Sequence, residues 1–181
     1  MQELTNWTLD AIRADDPVMS WMEERRFEWV PLVSDCIARM MEGYSLLVLT
    51  DKEREWFGKY AVSTINRSSK SRPYLPVYEL SGMLPGLDAI HSDEQIELAR
   101  DMLSVSFGGN YLFWYIGKSD DPRVKLAKKS DDSFLLVMDE EIQNSFFLRS
   151  ADEFLDLKLL HLVRLFDKTL DGVLFNEITL Q

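Results

Sequence analysis

Apolar positions along the chain follow two alternating rhythms. Five short runs rich in β-branched and aromatic residues, Ser45 to Thr50, Leu75 to Leu80, Tyr111 to Gly117, Ser133 to Met138 and Phe146 to Leu148, predict strands. Between them apolar residues recur at three- and four-residue spacing, which predicts helices over Asp51 to Asn66, Asp93 to Ser106 and Pro122 to Lys129. The first 43 residues predict a helix in two pieces, broken at Asp16-Pro17, because proline suits a first helical turn and disfavours helical backbone in the residue before it. In the second piece Val30, Val33, Ile37, Met40 and Met41 form one stripe, and Gly43 is placed to end it. Ser92-x-x-Gln95 and Ser150-x-x-Glu153 are capping-box patterns; the second predicts a C-terminal helix over 151–178.

Apolar strands alternating with helices predict a three-layer α/β fold: a mainly parallel five-stranded sheet with helices on both faces, of flavodoxin-like or Rossmann-like type. No repeat, low-complexity tract or Pro/Gly linker divides the chain, so one domain over 1–181 is expected.

In such a sheet, ligands bind beyond the carboxyl ends of the strands, and phosphates sit on the free amides of a helix N-terminus. The first strand-to-helix junction, "SLLVLTDKEREWF" from Ser45 to Phe57, is that place, and it lacks glycine. Thr50-x-x-Glu53 reads instead as a capping box that occupies those amides, and Asp51, Glu53 and Glu55 oppose an anion. A self-capped helix is the expectation, not a phosphate site.

Charge narrows the partners. The chain carries a formal net charge of −11, which opposes binding to nucleic acid backbones and anionic membranes. No run approaches the ~18 apolar residues of a membrane span, and Met1 to Asp10 lacks signal-peptide organisation. The single cysteine, Cys36, lies in an apolar stripe and reads as a packed thiol, so a cytoplasmic protein is expected. His91 and His161 belong to no metal-ligand spacing, and His161 reads as solvated surface. The adjacent carboxylates Asp131/Asp132 and Glu140/Glu141 read as solvated turns, and Gly108-Gly109-Asn110 as a turn before a strand. With no nucleophile, base and orienting group assembled, neither catalysis nor a cofactor or metal is expected.

Apolar surface is in excess. Around the C-terminal helix, Leu155, Leu159, Leu162, Val163, Phe166, Leu170 and Val173 share one face. Phe175 projects instead among Arg164, Lys168 and Asp171, and Leu157 lies on that same side. More apolar surface than one sheet face covers predicts self-association or partner binding. Trp7 and Trp21, flanked by polar residues, are further candidate anchors.

Four segments, "SLLV", "RPYLPV" (Arg72 to Val77), "FWYIGK" (Phe113 to Lys118) and the tail from Glu153 to Leu180, resemble the HobA family of initiator-associating proteins. That resemblance implies a degenerate sugar isomerase (SIS) fold, a homotetramer without enzymatic activity, and binding to the N-terminal domain of the replication initiator DnaA so as to promote its assembly at the origin. Ser63 to Leu80 is similar to the related DiaA group, whose initiator contacts imply a partner site at Ser63, Arg72, Leu174 and Phe175. Where that group keeps a Gly-Asn-Gly phosphate loop, this chain has Leu-Thr-Asp. A divergent sugar-phosphate isomerase or regulator is the alternative reading.

Overall fold

A computed structural model describes residues 1–15, 17–84, 86–130 and 133–180. Helices α1 (Gln2–Asp15) and α2 (Met22–Met41) lead into β1 (Ser45–Thr50), α3 (Glu55–Ile65), β2 (Val77–Glu79), α4 (Asp93–Phe107) and β3 (Tyr111–Lys118). There follow α5 (Val124–Lys128), β4 (Phe134–Met138), β5 (Ser145–Leu148) and α6 (Leu155–Leu174). The sheet has the order β2-β1-β3-β4-β5, with every pairing parallel. The expected break near Pro17 is a 3₁₀ turn over Pro17–Met19; Asp16 and the Asp131/Asp132 pair lie outside the described residues.

Two-residue alternation divides the core. Leu46, Val48, Leu112, Trp114, Ile116 and Leu136 face α2, α3 and α6, whereas Leu47, Leu49, Phe113, Tyr115 and Val137 face α4 and α5. The first face is aromatic: Trp114 lies 4.8 Å from the Phe166 ring, and Trp29 meets both Phe134 and Phe146 edge-on at 5.4 Å. Cys36 is buried there, and desolvation pushes its thiol well above the usual range.

Local signals set most helix ends. Gly43 at φ 97° closes α2 with the paired bonds Tyr44 N to Arg39 O and Gly43 N to Met40 O. Gly108, at φ 63°, stops α4, whose start carries both bonds of the expected Ser92/Gln95 box. The Ser150 box does not form. Ser150 donates to the carboxylate of Asp139, and α6 begins at Leu155 with Asp152 accepting the Phe154 amide at 2.9 Å. Nor does the helix reach residue 178. Asn176, at φ 57°, reverses the chain after Leu174, with Glu177 N bonded to Gly172 O and Asn176 N to Val173 O.

That reversal accounts for part of the apolar excess on α6. It returns Ile178 onto Gly172, where an added Cβ would meet Ile178 at 3.1 Å and the Trp7 ring at 3.4 Å. Trp7 is thus half-buried on a small core of Leu4, Val30 and Ile178. His161 is likewise not solvated surface: it is 8% exposed, because the turn before α2, with Val18 and Trp21, covers that side of α6. It lines an apolar cleft of about 280 Å³ with Val18, Trp21, Phe154, Leu157 and Lys158.

Candidate functional site

Strand order reverses between β1 and β3, the position where open α/β sheets bind ligands. Here one carboxylate fills it. Asp51 Oδ1 accepts the Arg54 amide at 3.0 Å; Oδ2 accepts the Lys118 amide from the end of β3 at 2.8 Å and Arg54 Nη1 at 2.5 Å. Both side chains are almost fully buried. The cap is therefore Asp51, on the 3₁₀ turn Lys52–Arg54 that precedes α3, and not Thr50 with Glu53. Thr50 still belongs to β1 and packs its methyl near Gly58, while Glu53 swings outward to Lys118 Nζ at 3.1 Å. That ion pair holds the Glu53 carboxyl below its usual range.

A second guanidinium closes the crevice behind the first. Arg123, 5% exposed, donates to Thr50 O at 2.9 Å and Asp88 Oδ1 at 2.7 Å. Tyr115 donates to Lys118 O at 2.7 Å, and burial, then Asp121 and Asp51, push its phenol above the usual range. What remains outside is a depression of about 270 Å³ lined by four carboxylates and two lysines, Asp51, Lys52, Glu53, Lys118, Asp120 and Asp121. Such a lining repels phosphate. Among the described residues, no group of three or more His, Cys, Asp or Glu is arranged to hold a metal ion.

Gly117 makes this closure sterically possible. A Cβ there would lie 2.8 Å from Asp51 Cβ and 2.7 Å from the Tyr115 hydroxyl. Gly117→Ala is expected to destabilise the fold by about 1–3 kcal/mol, the usual range for overpacking, which a denaturant titration measures directly.

The four residues singled out for partner binding converge elsewhere, at the C-terminal ends of α3 and α6. Ser63 is exposed on α3, its hydroxyl donating to Tyr60 O at 2.9 Å. Leu174 packs against the core, and Phe175, at the C-cap of α6, is 50% exposed. Arg72 is the link between them. Its side chain is 1% exposed; Nη2 donates to Ile65 O at 2.6 Å and Asp167 Oδ1 at 2.5 Å, and Nη1 donates to the Asp171 carboxylate. Lys70 Nζ reaches Asp167 at 2.7 Å and Asp171 at 2.6 Å. Burial works against the Lys70 charge, but these two carboxylates outweigh it and the net shift is upward.

Sequence reasoning did not anticipate this cluster or its companion clip, in which the Asn66 side chain pairs with both backbone groups of Leu75 at 3.0 and 2.9 Å. Together they hold residues 66–75 as a defined loop beside Ser63 and Phe175. The local signal was an asparagine just past the helix end followed by a basic stretch, Arg67, Lys70 and Arg72, in an acidic chain.

Comparison with known proteins agrees over the full length. The chain is 31% identical to the DNA replication regulator protein HobA of Helicobacter pylori (strain ATCC 700392 / 26695), across 99% of this chain and 100% of that protein. It superposes on the crystal structure of H. pylori HobA with a TM-score of 0.77 at 28% identity, covering 99% of each chain. With the H. pylori HobA–DnaA (domain I-II) complex the TM-score is 0.76 at 29% identity, over 99% of each chain. A phosphoheptose isomerase from Francisella tularensis shares the fold at a TM-score of 0.53 and 13% identity, with 78% of this chain and 86% of that one covered. The SIS-type α/β scaffold, with its ligand crevice sealed from within by Asp51, is thus accompanied by a family model, "HobA: DNA replication regulator", that matches residues 1–180, and the chain belongs to the HobA family.

Proposed function

We propose that this protein is a cytoplasmic, non-enzymatic adaptor that binds the N-terminal domains of DnaA and promotes initiator assembly at the chromosomal origin. The observation that carries this reading is the full-length similarity to the HobA of the HobA–DnaA (domain I-II) complex. Ser63, Leu174 and Phe175 form the contact, with Arg72 holding it together from beneath. A filled crevice supports the non-enzymatic reading over a sugar-phosphate isomerase; a panel of phosphosugars is expected to give no thermal stabilisation.

The adaptor acts as a homotetramer. Two separate apolar surfaces suit a dimer of dimers: the stripe Leu98, Met102 and Val105 on the outer side of α4, and the cleft between Val18 and Phe154. Several initiator sites on one scaffold would raise the effective concentration of bound DnaA molecules for one another, with no chemistry required.

Phe175→Ala tests the site. A half-exposed aromatic that becomes buried in a complex contributes about 2 kcal/mol, so titration calorimetry should show affinity for DnaA domains I-II falling roughly thirtyfold while the sedimentation coefficient of the tetramer is unchanged. Unaltered affinity in a folded variant removes the assignment.

A further inference from the structure

The α3–α6 surface has a charge character opposite to that of the whole chain. Against a net charge of −11, most cations are engaged: Arg13 with Glu23, Arg25 with Glu28, Lys129 with Glu97, Lys158 with Asp152, Lys168 with Asp15. Lys52 and Lys125 are exposed without an ion pair elsewhere on the surface; Lys59, Arg67 and Arg164 are exposed too, and among the described residues none of these three has a charged partner. All three lie on α3, the loop after it, or the adjoining α6.

Their placement follows from the helix geometry. On α3, Trp56, Lys59 and Ser63 are exposed and fall within about 60° of one another on the helical wheel. Arg67 follows at the end of that face. Both helices run back across the same sheet face, and Arg72 ties their C-terminal ends by bonding Ile65 O and the carboxylates of Asp167 and Asp171. By that alignment, Arg164 lies at about the level of Lys59, at a rise of 1.5 Å per residue. Phe175 stands half-exposed at the far end.

Carboxylates level with these cations are already used, whereas Asp156 is exposed in the first turn of α6. Glu55 pairs with Arg123 at 3.3 Å, and Asp167 and Asp171 are held by Lys70 and Arg72. Glu177 departs on the other side, where the chain turns back toward α1. The face therefore offers unneutralised cations between two exposed aromatic side chains, in a chain whose overall field repels acidic surfaces.

We infer that this face docks an acidic surface of the partner: Lys59, Arg67 and Arg164 supply the attractive charge, and Trp56 and Phe175 the apolar ends. The inference rests on the proposed DnaA binding and names the chemistry of the partner surface that meets this site. Local positive charge on an acidic protein confers specificity as well as attraction, since an acidic domain approaching from any other side is repelled. Exposed pairs of this kind act mainly on association rate and weaken with salt.

The test measures binding of the cognate DnaA domains I-II to the full chain by surface plasmon resonance at low and high salt. The triple variant Lys59→Gln/Arg67→Gln/Arg164→Gln is expected to bind about tenfold more weakly at low salt, chiefly through a slower on-rate, and to lose most of the salt dependence of the wild type. Lys125→Gln, distant on α5, should bind as wild type. Phe175→Ala should instead accelerate dissociation and keep the salt dependence. A triple variant that binds as wild type, or a wild-type affinity indifferent to salt, overturns the inference while leaving the adaptor reading in place if Phe175→Ala still weakens binding. A wild-type chain that does not bind DnaA overturns both.

Discussion

Replacing Arg72 with alanine is expected to lower stability by about 3–5 kcal/mol, the cost of removing one partner from a buried ion pair. For a chain of this length that corresponds to a fall in Tm on the order of 10 °C. The size follows from what remains behind. Asp167 is 9% exposed at its side chain and would keep only Lys70, while Ile65 O would lose its donor at the end of α3. Replacing the pair together, Arg72→Met with Asp167→Leu, removes both charges and should recover much of the loss, because apolar residues of similar volume substitute for buried ion pairs at little cost. If Arg72→Ala melts within a degree or two of wild type, the cluster does not stabilise the fold.

The same substitution also separates two ways in which Arg72 would serve the proposed partner site. A side chain enclosed by Ile65, Asp167 and Asp171 has Nε as its unpaired donor, and that atom is buried, so no free donor points outward. Loss of DnaA binding in Arg72→Ala is thus expected to accompany faster hydrogen exchange in residues 66–75. Phe175→Ala, in contrast, should leave that loop protected.

The sheet was legible because its strands are buried on both sides, so apolar runs mark them without help from distant residues. Gly43 and the Ser92/Gln95 box were legible because all their partners lie within one helical turn. The failures share the opposite property. Asp51, not Thr50, caps the first turn because its second oxygen meets the amide of Lys118, 67 positions along the chain. Ser150 leaves its own helix for Asp139, and His161 is buried by the segment that precedes α2. Within the proposed partner site, the exposure of Phe175 followed from the helical pattern, whereas the burial of Arg72 depends on carboxylates 95 and 99 positions away that no local pattern pairs with it. Gly117 looked like any glycine at a strand end until the Asp51 side chain and Tyr115 hydroxyl were in place around it.

Asp51→Ala should produce the other large effect, again about 3–5 kcal/mol, and it addresses why the crevice is closed. The substitution leaves the Arg54 guanidinium, 7% exposed, with only the outward Glu53 at 3.3 Å, frees the amide of Lys118, and leaves the Arg54 amide with only its bond to Asp51 O at 3.2 Å. A free backbone donor, a second held only by a 3.2 Å bond, and a buried cation at a helix start are the elements of an anion site. Inorganic phosphate is therefore expected to raise the Tm of Asp51→Ala in a concentration-dependent way, as any ligand confined to the folded state does, and to leave the wild type unmoved. Asp51→Asn, which keeps one acceptor for the Arg54 amide but removes the charge, should fall between them. A phosphate response in the wild type would mean that the carboxylate does not occupy the anion position. Its absence from Asp51→Ala would place the closure with Arg123, Tyr115 and the acidic rim rather than with Asp51 alone.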